Sequence, residues 1–119
     1  MSALRTVCLV LALLGFAAQS LGAAADAALD EAVATYGAAM NSEERSLRLG
    51  AFRRSESLFA RAIENGARNA DIYTNLGNSA LQGERLGHAV LAYRRALLLD
   101  PDHARALQNL EHARSMLPV

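Results

Sequence analysis

The sequence predicts an all-α protein in which paired helices stack side by side. Small and large apolar residues alternate at helical spacing between Tyr73 and Pro101, and part of this pattern returns one period of about 34 residues earlier. Residues suited to helix starts also precede the apolar runs. The predicted helices cover residues 27–40, 42–64, 70–82, 86–99 and 102–116.

The first 25 residues have the composition of a Sec-type signal peptide. Arg5 supplies the positive start, the run from Val7 to Ala18 is uncharged and largely aliphatic, and Ala23 to Ala25 fits a small-residue cleavage site. This run of about a dozen residues is shorter than the roughly 20 that a membrane-spanning helix needs. We therefore expect cleavage after Ala25 and a periplasmic or secreted chain. The alternative is a membrane-tethered assembly subunit that retains this segment.

Residues 27–66 are predicted to form a degenerate first pair of helices. Asn41, followed three residues later by Glu44, resembles a capping box and predicts that the second helix starts at Ser42. The apolar stripe expected for the first helix consists of Leu29, Val33, Tyr36 and Met40.

Residues 70–103 carry the clearest pattern. Gly77 is predicted to let the second helix of the pair approach the first closely, and Asn69 and Asp100 are placed to cap the helices that follow them. Pro101 suits the end of one unit and the start of the next, because proline does not continue a helix interior. The full pattern is Tyr73, Leu76, Gly77, Ala80, Ala89, Tyr93, Ala96 and Pro101.

These eight residues fit the tetratricopeptide pattern W-x₂-L-G-x₂-Y…A-x₃-F…P, so the chain resembles the tetratricopeptide-repeat (TPR) family. The segment from Asp71 to Arg114 is particularly similar to the TPR proteins of bacterial aerotolerance operons. The resemblance implies a helical-hairpin solenoid of about two and a half repeats in a single domain, residues 26–119, with a C-terminal capping helix over residues 104–117. It also implies a non-enzymatic scaffold that binds a peptide or protein partner on its concave face. An array of fewer than three units predicts modest stability and weak self-association or stabilisation by a partner.

Candidate partner-binding residues lie on the helix from Ala70 and on the capping helix. By resemblance to peptide-binding TPR domains, Asn78 and Asn109 would hold a peptide backbone, since an amide side chain both donates and accepts hydrogen bonds. Arg105 would bind a carboxylate. The same faces add Thr74, Gln82 and His112. The alternative is that all of these are solvated surface residues.

Composition disfavours several other functions. Twelve arginines and twelve acidic residues give a formal net charge of zero, and without a basic stripe or many aromatic residues the chain does not suit nucleic acid. The only cysteine, Cys8, lies in the signal segment, so a cleaved chain has no thiol chemistry. A small metal-binding protein using His88, His103 and His112 is a further alternative, although none of these histidines has i, i+4 spacing. We expect neither a cofactor nor an enzyme.

Overall fold

Five α-helices follow one another along the chain. The computed structural model describes the backbone of residues 2–119 and the side chains of residues 21–119, and no strand occurs among them. The predicted all-α class is confirmed, and two of the predicted helices have the predicted bounds. Most of the predicted signal segment, residues 1–20, lies outside the described side chains. The helices are α1 (Ser2–Met40), α2 (Arg45–Glu64), α3 (Ala70–Gln82), α4 (Leu86–Leu99) and α5 (Ala104–Ser115).

Each helix packs against the next one in sequence, and α3 also packs against α5. The connections are three to five residues long, which makes neighbouring helices run antiparallel. In this arrangement α1, α3 and α5 are the first helices of successive pairs, and α2 and α4 are the second helices. Within the described residues, no helix is both long enough and apolar enough to cross a bilayer.

The contact between α3 and α4 depends on Gly77. A Cβ atom built at Gly77 would lie only 2.5 Å from Cε1 of Tyr93, which is closer than two unbonded carbon atoms can approach. The ring of Tyr93 is fully buried, in one cluster with Ala80 and Ala89. Ala96 is buried in the neighbouring cluster. The missing side chain at Gly77 therefore makes room for the largest buried residue of α4, as the sequence pattern predicted.

Two buried hydroxyl groups join the first three helices. The Ser55 hydroxyl donates a hydrogen bond to the carbonyl oxygen of Ala32 at 3.0 Å, and its Oγ lies 3.1 Å from Oγ of Ser79. The Ser79 Oγ also lies 3.1 Å from the carbonyl oxygen of Asn75, so both hydroxyl protons have an acceptor, and no side-chain polar atom is left buried without a partner in the described residues. A serine at position 55 is small enough for close packing and still links α1, α2 and α3.

The predicted apolar stripe of the first helix is only partly correct. Val33 is 59% exposed, and Met40 is also exposed. Leu29 packs at the margin of the core, and the half-buried ring of Tyr36 meets Phe52 edge-on with centroids 5.2 Å apart. The face of α1 that packs against the core consists instead of small residues, which allow close approach of α2: Ala25, Ala28, Ala32 and Ala39.

The start of α2 also differs from the prediction. The helix begins at Arg45, and the carboxylate of Glu44 accepts the backbone N–H of Ser46 at its start. Asn41 does not cap this helix, because its side-chain amide donates to the carbonyl oxygen of Gly37 at the end of α1. The predicted capping box is therefore wrong, and the polar residues of this loop divide between the two helix ends.

Asn69 caps α3 as predicted, since its Oδ1 accepts the backbone N–H of Ile72 at 2.9 Å. At its other end, α3 closes with Glu84 in the left-handed region, at φ 60°. Both carboxylate oxygens of Glu84 accept from Arg45, at 2.6 and 2.8 Å, which connects this turn to the start of α2.

Replacing Gly77 by alanine tests the close contact between α3 and α4. We expect Gly77→Ala to lower the free energy of unfolding by about 1–3 kcal/mol, because the added methyl group displaces the buried Tyr93 ring. Gly50→Ala is the matched control, since nothing lies within 4 Å of a Cβ at Gly50 in α2. That change should raise stability by about 0.5–1 kcal/mol through helix propensity alone. Chemical denaturation measures both, and equal stabilisation by the two substitutions would contradict the packing.

Candidate functional site

A groove opens where the three first helices meet. Its volume is about 240 Å³, and we call it the first-helix groove. Two of its residues come from α1, one from α2, two from α3 and one from α5: Val33, Tyr36, Phe59, Asn75, Asn78 and Arg105. Two of the predicted partner-binding residues, Asn78 and Arg105, therefore lie in one site.

Asn78 is held from two directions. Its Oδ1 accepts a hydrogen bond from the hydroxyl group of Tyr93 at 2.7 Å and another from Nδ2 of Asn109 at 2.8 Å. The structure thus brings together the two asparagines that were predicted to grip a peptide, but part of each amide is used within the protein. The Nδ2 group of Asn78 and the Oδ1 atom of Asn109 remain for a ligand.

The Tyr93 hydroxyl fixes the orientation of Asn78. Burial, and secondarily the nearby Tyr36, raise the pKa of Tyr93 far above that of a free tyrosine. The hydroxyl therefore keeps its proton at any physiological pH, and it needs an acceptor because its ring is fully buried. The Asn78 carbonyl oxygen must then face Tyr93, which leaves the two Nδ2 hydrogens as the groups that Asn78 can offer to the groove.

His103 places the start of α5. The helix begins at Ala104, and Nδ1 of His103 accepts the backbone N–H of Ala106 at 3.1 Å, so His103 is the N-cap. The predicted cap, Asp100, instead accepts the N–H of Asp102 within the preceding turn. Because Nδ1 is an acceptor, the ring proton sits on Nε2, which lies 2.6 Å from Oδ1 of Asp71 in α3.

Asp71 receives contacts from both His103 and Arg105. The hydrogen bond from His103 is the largest cause of a lowered pKa for Asp71, and the more distant Arg105, at 3.4 Å, contributes less. The carboxylate is therefore charged at neutral pH and holds the N-terminal end of α5 against α3. Since Arg105 makes only this long, solvent-exposed contact, its guanidinium group can turn to a ligand in the groove.

The other predicted partner-binding residues lie outside the groove. Thr74 is fully buried, and its hydroxyl donates to the carbonyl oxygen of Ala70 at 2.7 Å, so the prediction that it faces a partner is wrong. It lies one turn before Gly77, on the packed side of α3. Gln82 and His112 are exposed but do not line the first-helix groove.

Four groove residues were not singled out as binding residues from the sequence. Val33 and Tyr36 were assigned to the core, because apolar residues at helical spacing usually are. Phe59 is almost fully buried and lines the groove from α2. Asn75 precedes Asn78 by one helical turn, and this spacing is the signal that could have identified it. Its half-buried amide makes no hydrogen bond to another side chain or main-chain group in residues 21–119.

The histidines are held in separate places. His88 lies 3.0 Å from Oε1 of Glu56 and beside Arg85, while His103 bonds to Asp71. Among the residues that the structure describes, no group of three or more histidine, cysteine or acidic side chains could hold a metal ion. Nothing in this part of the chain therefore favours the metal-binding alternative.

Comparison with protein-family models gives no match, and no curated protein is significantly similar to the chain. The resemblance to TPR proteins rests on the residue pattern itself. Function is therefore inferred from the geometry of the first-helix groove and of the Gly77–Tyr93 contact.

A pair of substitutions tests the link between Tyr93 and Asn78. We expect Asn78→Ala to cost about 1–3 kcal/mol of stability, because it leaves the buried Tyr93 hydroxyl without an acceptor. Tyr93→Phe should cost less, about 0.5–1.5 kcal/mol, since Asn78 keeps its bond from Asn109.

The double variant Asn78→Ala, Tyr93→Phe is the decisive measurement. It should be more stable than the sum of the two single effects predicts, because the orphaned hydroxyl is gone. Denaturant unfolding of all four proteins measures this coupling. Strict additivity would show that the hydroxyl does not depend on Asn78.

Proposed function

We propose that this chain is an exported, non-enzymatic scaffold of the TPR type whose first-helix groove binds an extended segment of a protein partner. One observation carries the proposal: α1, α3 and α5 all contribute residues to a single open groove. Paired helices with small residues at their crossings suit this purpose, because the second helices pack the array and leave the first helices exposed on one side.

The packing of the second pair supports the solenoid. Gly77 and Tyr93 occupy two of the eight pattern positions, and their contact is the one for which the pattern needs a glycine. Ala80, Ala89 and Ala96 are also buried between helices. Residues of the pattern thus serve the crossings between helices, and the two groove residues on α3, Asn75 and Asn78, lie between pattern positions.

The groove has two chemically different walls. Val33, Tyr36 and Phe59 form the apolar wall, on α1 and α2, and the opposite wall consists of Asn75, Asn78 and Arg105. Asn78 offers its Nδ2 hydrogens and Arg105 can only donate, so the polar wall suits the carbonyl or carboxylate oxygens of a ligand. None of the lining residues is acidic. A peptide segment would place its backbone oxygens against α3 and α5 and an apolar side chain against α1 and α2.

The export part of the proposal rests on the composition of residues 1–25. Cleavage after Ala25 would remove one residue of the α1 face that packs against the core, Ala25, and leave Ala28, Ala32 and Ala39 in the mature chain. Cleavage and folding are therefore compatible.

The mass of the mature protein tests export. We expect protein recovered from a bacterial periplasm to begin at Asp26, because Ala23 to Ala25 supply the small residues that signal peptidase requires. Intact-mass spectrometry gives the answer directly. A full-length chain recovered from the membrane fraction would instead support the tethered subunit.

Site-specific photo-crosslinking tests the groove. A photoreactive residue at Val33 should capture a discrete partner from an extract of exported proteins, whereas the same residue at Gly50, exposed on α2 outside the groove, should not. Adding Arg105→Ala should reduce the Val33 adduct about tenfold, since a charge-assisted hydrogen bond contributes about 1.5–3 kcal/mol. Gel analysis with mass spectrometry measures the adducts. The same proteins captured equally from Val33 and Gly50 would place the binding surface elsewhere.

A further inference from the structure

Charge is separated between the two sets of helices, although the chain as a whole has a formal net charge of zero. The second helices, α2 and α4, together carry seven arginines and two glutamates. Residues 21–40 of α1, together with α3 and α5, carry two arginines, Arg105 and Arg114, and five carboxylates: Asp26, Asp30, Glu31, Asp71 and Glu111. The side of the array formed by α2 and α4 is therefore strongly basic.

The outward face of α4 combines arginines with exposed leucines. Leu91, Arg94, Arg95 and Leu98 share one helical face, because they lie three and four residues apart. Leu98 is 83% exposed and Leu91 is 48% exposed, so both apolar side chains are accessible to solvent. Helix α4 contains no acidic residue. We call these four residues, together with Arg61 on α2, the outer face.

The arginines of the outer face are not used in the fold. The side chains of Arg61, Arg94 and Arg95 make no hydrogen bond or ion pair within residues 21–119. By contrast, other arginines of α2 have partners, such as Arg45 on Glu84 and Arg54 on Glu31. Three cationic side chains therefore project into solvent from the side of the molecule that is already basic.

Glu56 lines one groove with Leu91 and Arg95 of the outer face, and its carboxylate is already paired. Glu56 is only 13% exposed, and its carboxylate accepts from Arg85 at 3.1 Å and lies 3.0 Å from His88. These residues form part of a shallow groove of about 320 Å³ beside the outer face, and Leu91, Ala92 and Arg95 also line it. Glu64, exposed near the end of α2, is the remaining carboxylate on the two second helices. Glu64 lies three residues after Arg61 and offsets part of its charge, whereas Arg94 and Arg95 have no acidic residue on their own helix.

We propose that the outer face binds the surface of an anionic lipid bilayer. Leucines that flank arginines on one exposed face match the boundary between acyl chains and anionic headgroups, where leucines enter the apolar layer and arginines contact phosphates. A nucleic acid would pair with the arginines but leave the leucines in water. The first-helix groove contains no residue of α4, so a membrane-bound molecule keeps that groove free for its partner.

Vesicle co-sedimentation of the full chain tests this proposal. Binding to vesicles of equal parts phosphatidylcholine and phosphatidylglycerol should exceed binding to pure phosphatidylcholine vesicles and should weaken as salt is added. Arg94→Gln with Arg95→Gln should reduce the partition coefficient about 30-fold, since each basic residue near an anionic surface contributes about 1 kcal/mol. Leu98→Ser should reduce it several-fold on anionic vesicles without changing the helix content, because the side chain makes no buried contact.

Two controls separate the outer face from other causes of binding. Arg114→Gln removes one charge from α5, and this variant should bind like the wild type, whereas Arg95→Gln alone should bind about fivefold more weakly. The apolar stretch Val7–Ala18 is identical in all variants, so the binding that it causes is measured on pure phosphatidylcholine vesicles and subtracted. Equal binding by the Arg94, Arg95 variant and the wild type would overturn the proposal. The absence of any preference for phosphatidylglycerol would also overturn the proposal. Displacement of the protein from vesicles by a single-stranded oligonucleotide would do the same.

Discussion

The contact of Tyr93 with Gly77 is the constraint on which the rest of the structure depends. Because Gly77 has no side chain, the Tyr93 ring lies directly against α3, with the site of a missing Cβ only 2.5 Å from Cε1. At this depth the hydroxyl group reaches Asn78, and Asn78 in turn bonds Asn109 on α5. One close helix crossing therefore sets the distance between α3 and α4 and also the position of the last helix.

The chemistry of the groove follows from the same contact. The Tyr93 hydroxyl needs an acceptor, so the amide of Asn78 has a single orientation and offers hydrogens to a ligand. Helix α5 is held to α3 at a second point, the ring of His103, which is only 12% exposed. This ring accepts the backbone N–H of Ala106 and donates to the carboxylate of Asp71. The spacing between Asn78 and Arg105, which line the same side of the groove, is thus defined by two links between α3 and α5.

The sequence was sufficient to predict the second helical pair and insufficient for the polar contacts. The bounds of α3 and α4 followed from small residues at fixed spacing, since only a glycine or alanine fits such crossings. In α1 the alanines could be assigned to either side of the helix, so Val33 was wrongly placed in the core. Thr74 was misplaced because a hydroxyl that bonds its own backbone can be buried as readily as an apolar group. His103 replaced Asp100 as a cap through a bond to Asp71, which is distant in sequence.

The charge distribution shows a further limit of reading composition alone. A formal net charge of zero argues against any anionic partner only if the two signs are mixed over the surface. Here the two signs are unevenly distributed, because α2 and α4 carry seven arginines and only two glutamates. Arg94 and Arg95 lie among leucines on α4, which has no acidic residue, while residues 21–40 of α1 carry three carboxylates and no arginine. An attraction between the outer face and an anionic surface would act over about one Debye length, roughly 8–10 Å at physiological salt. It would therefore depend on the local charge of the second helices, and the neutral total of the chain would not cancel it.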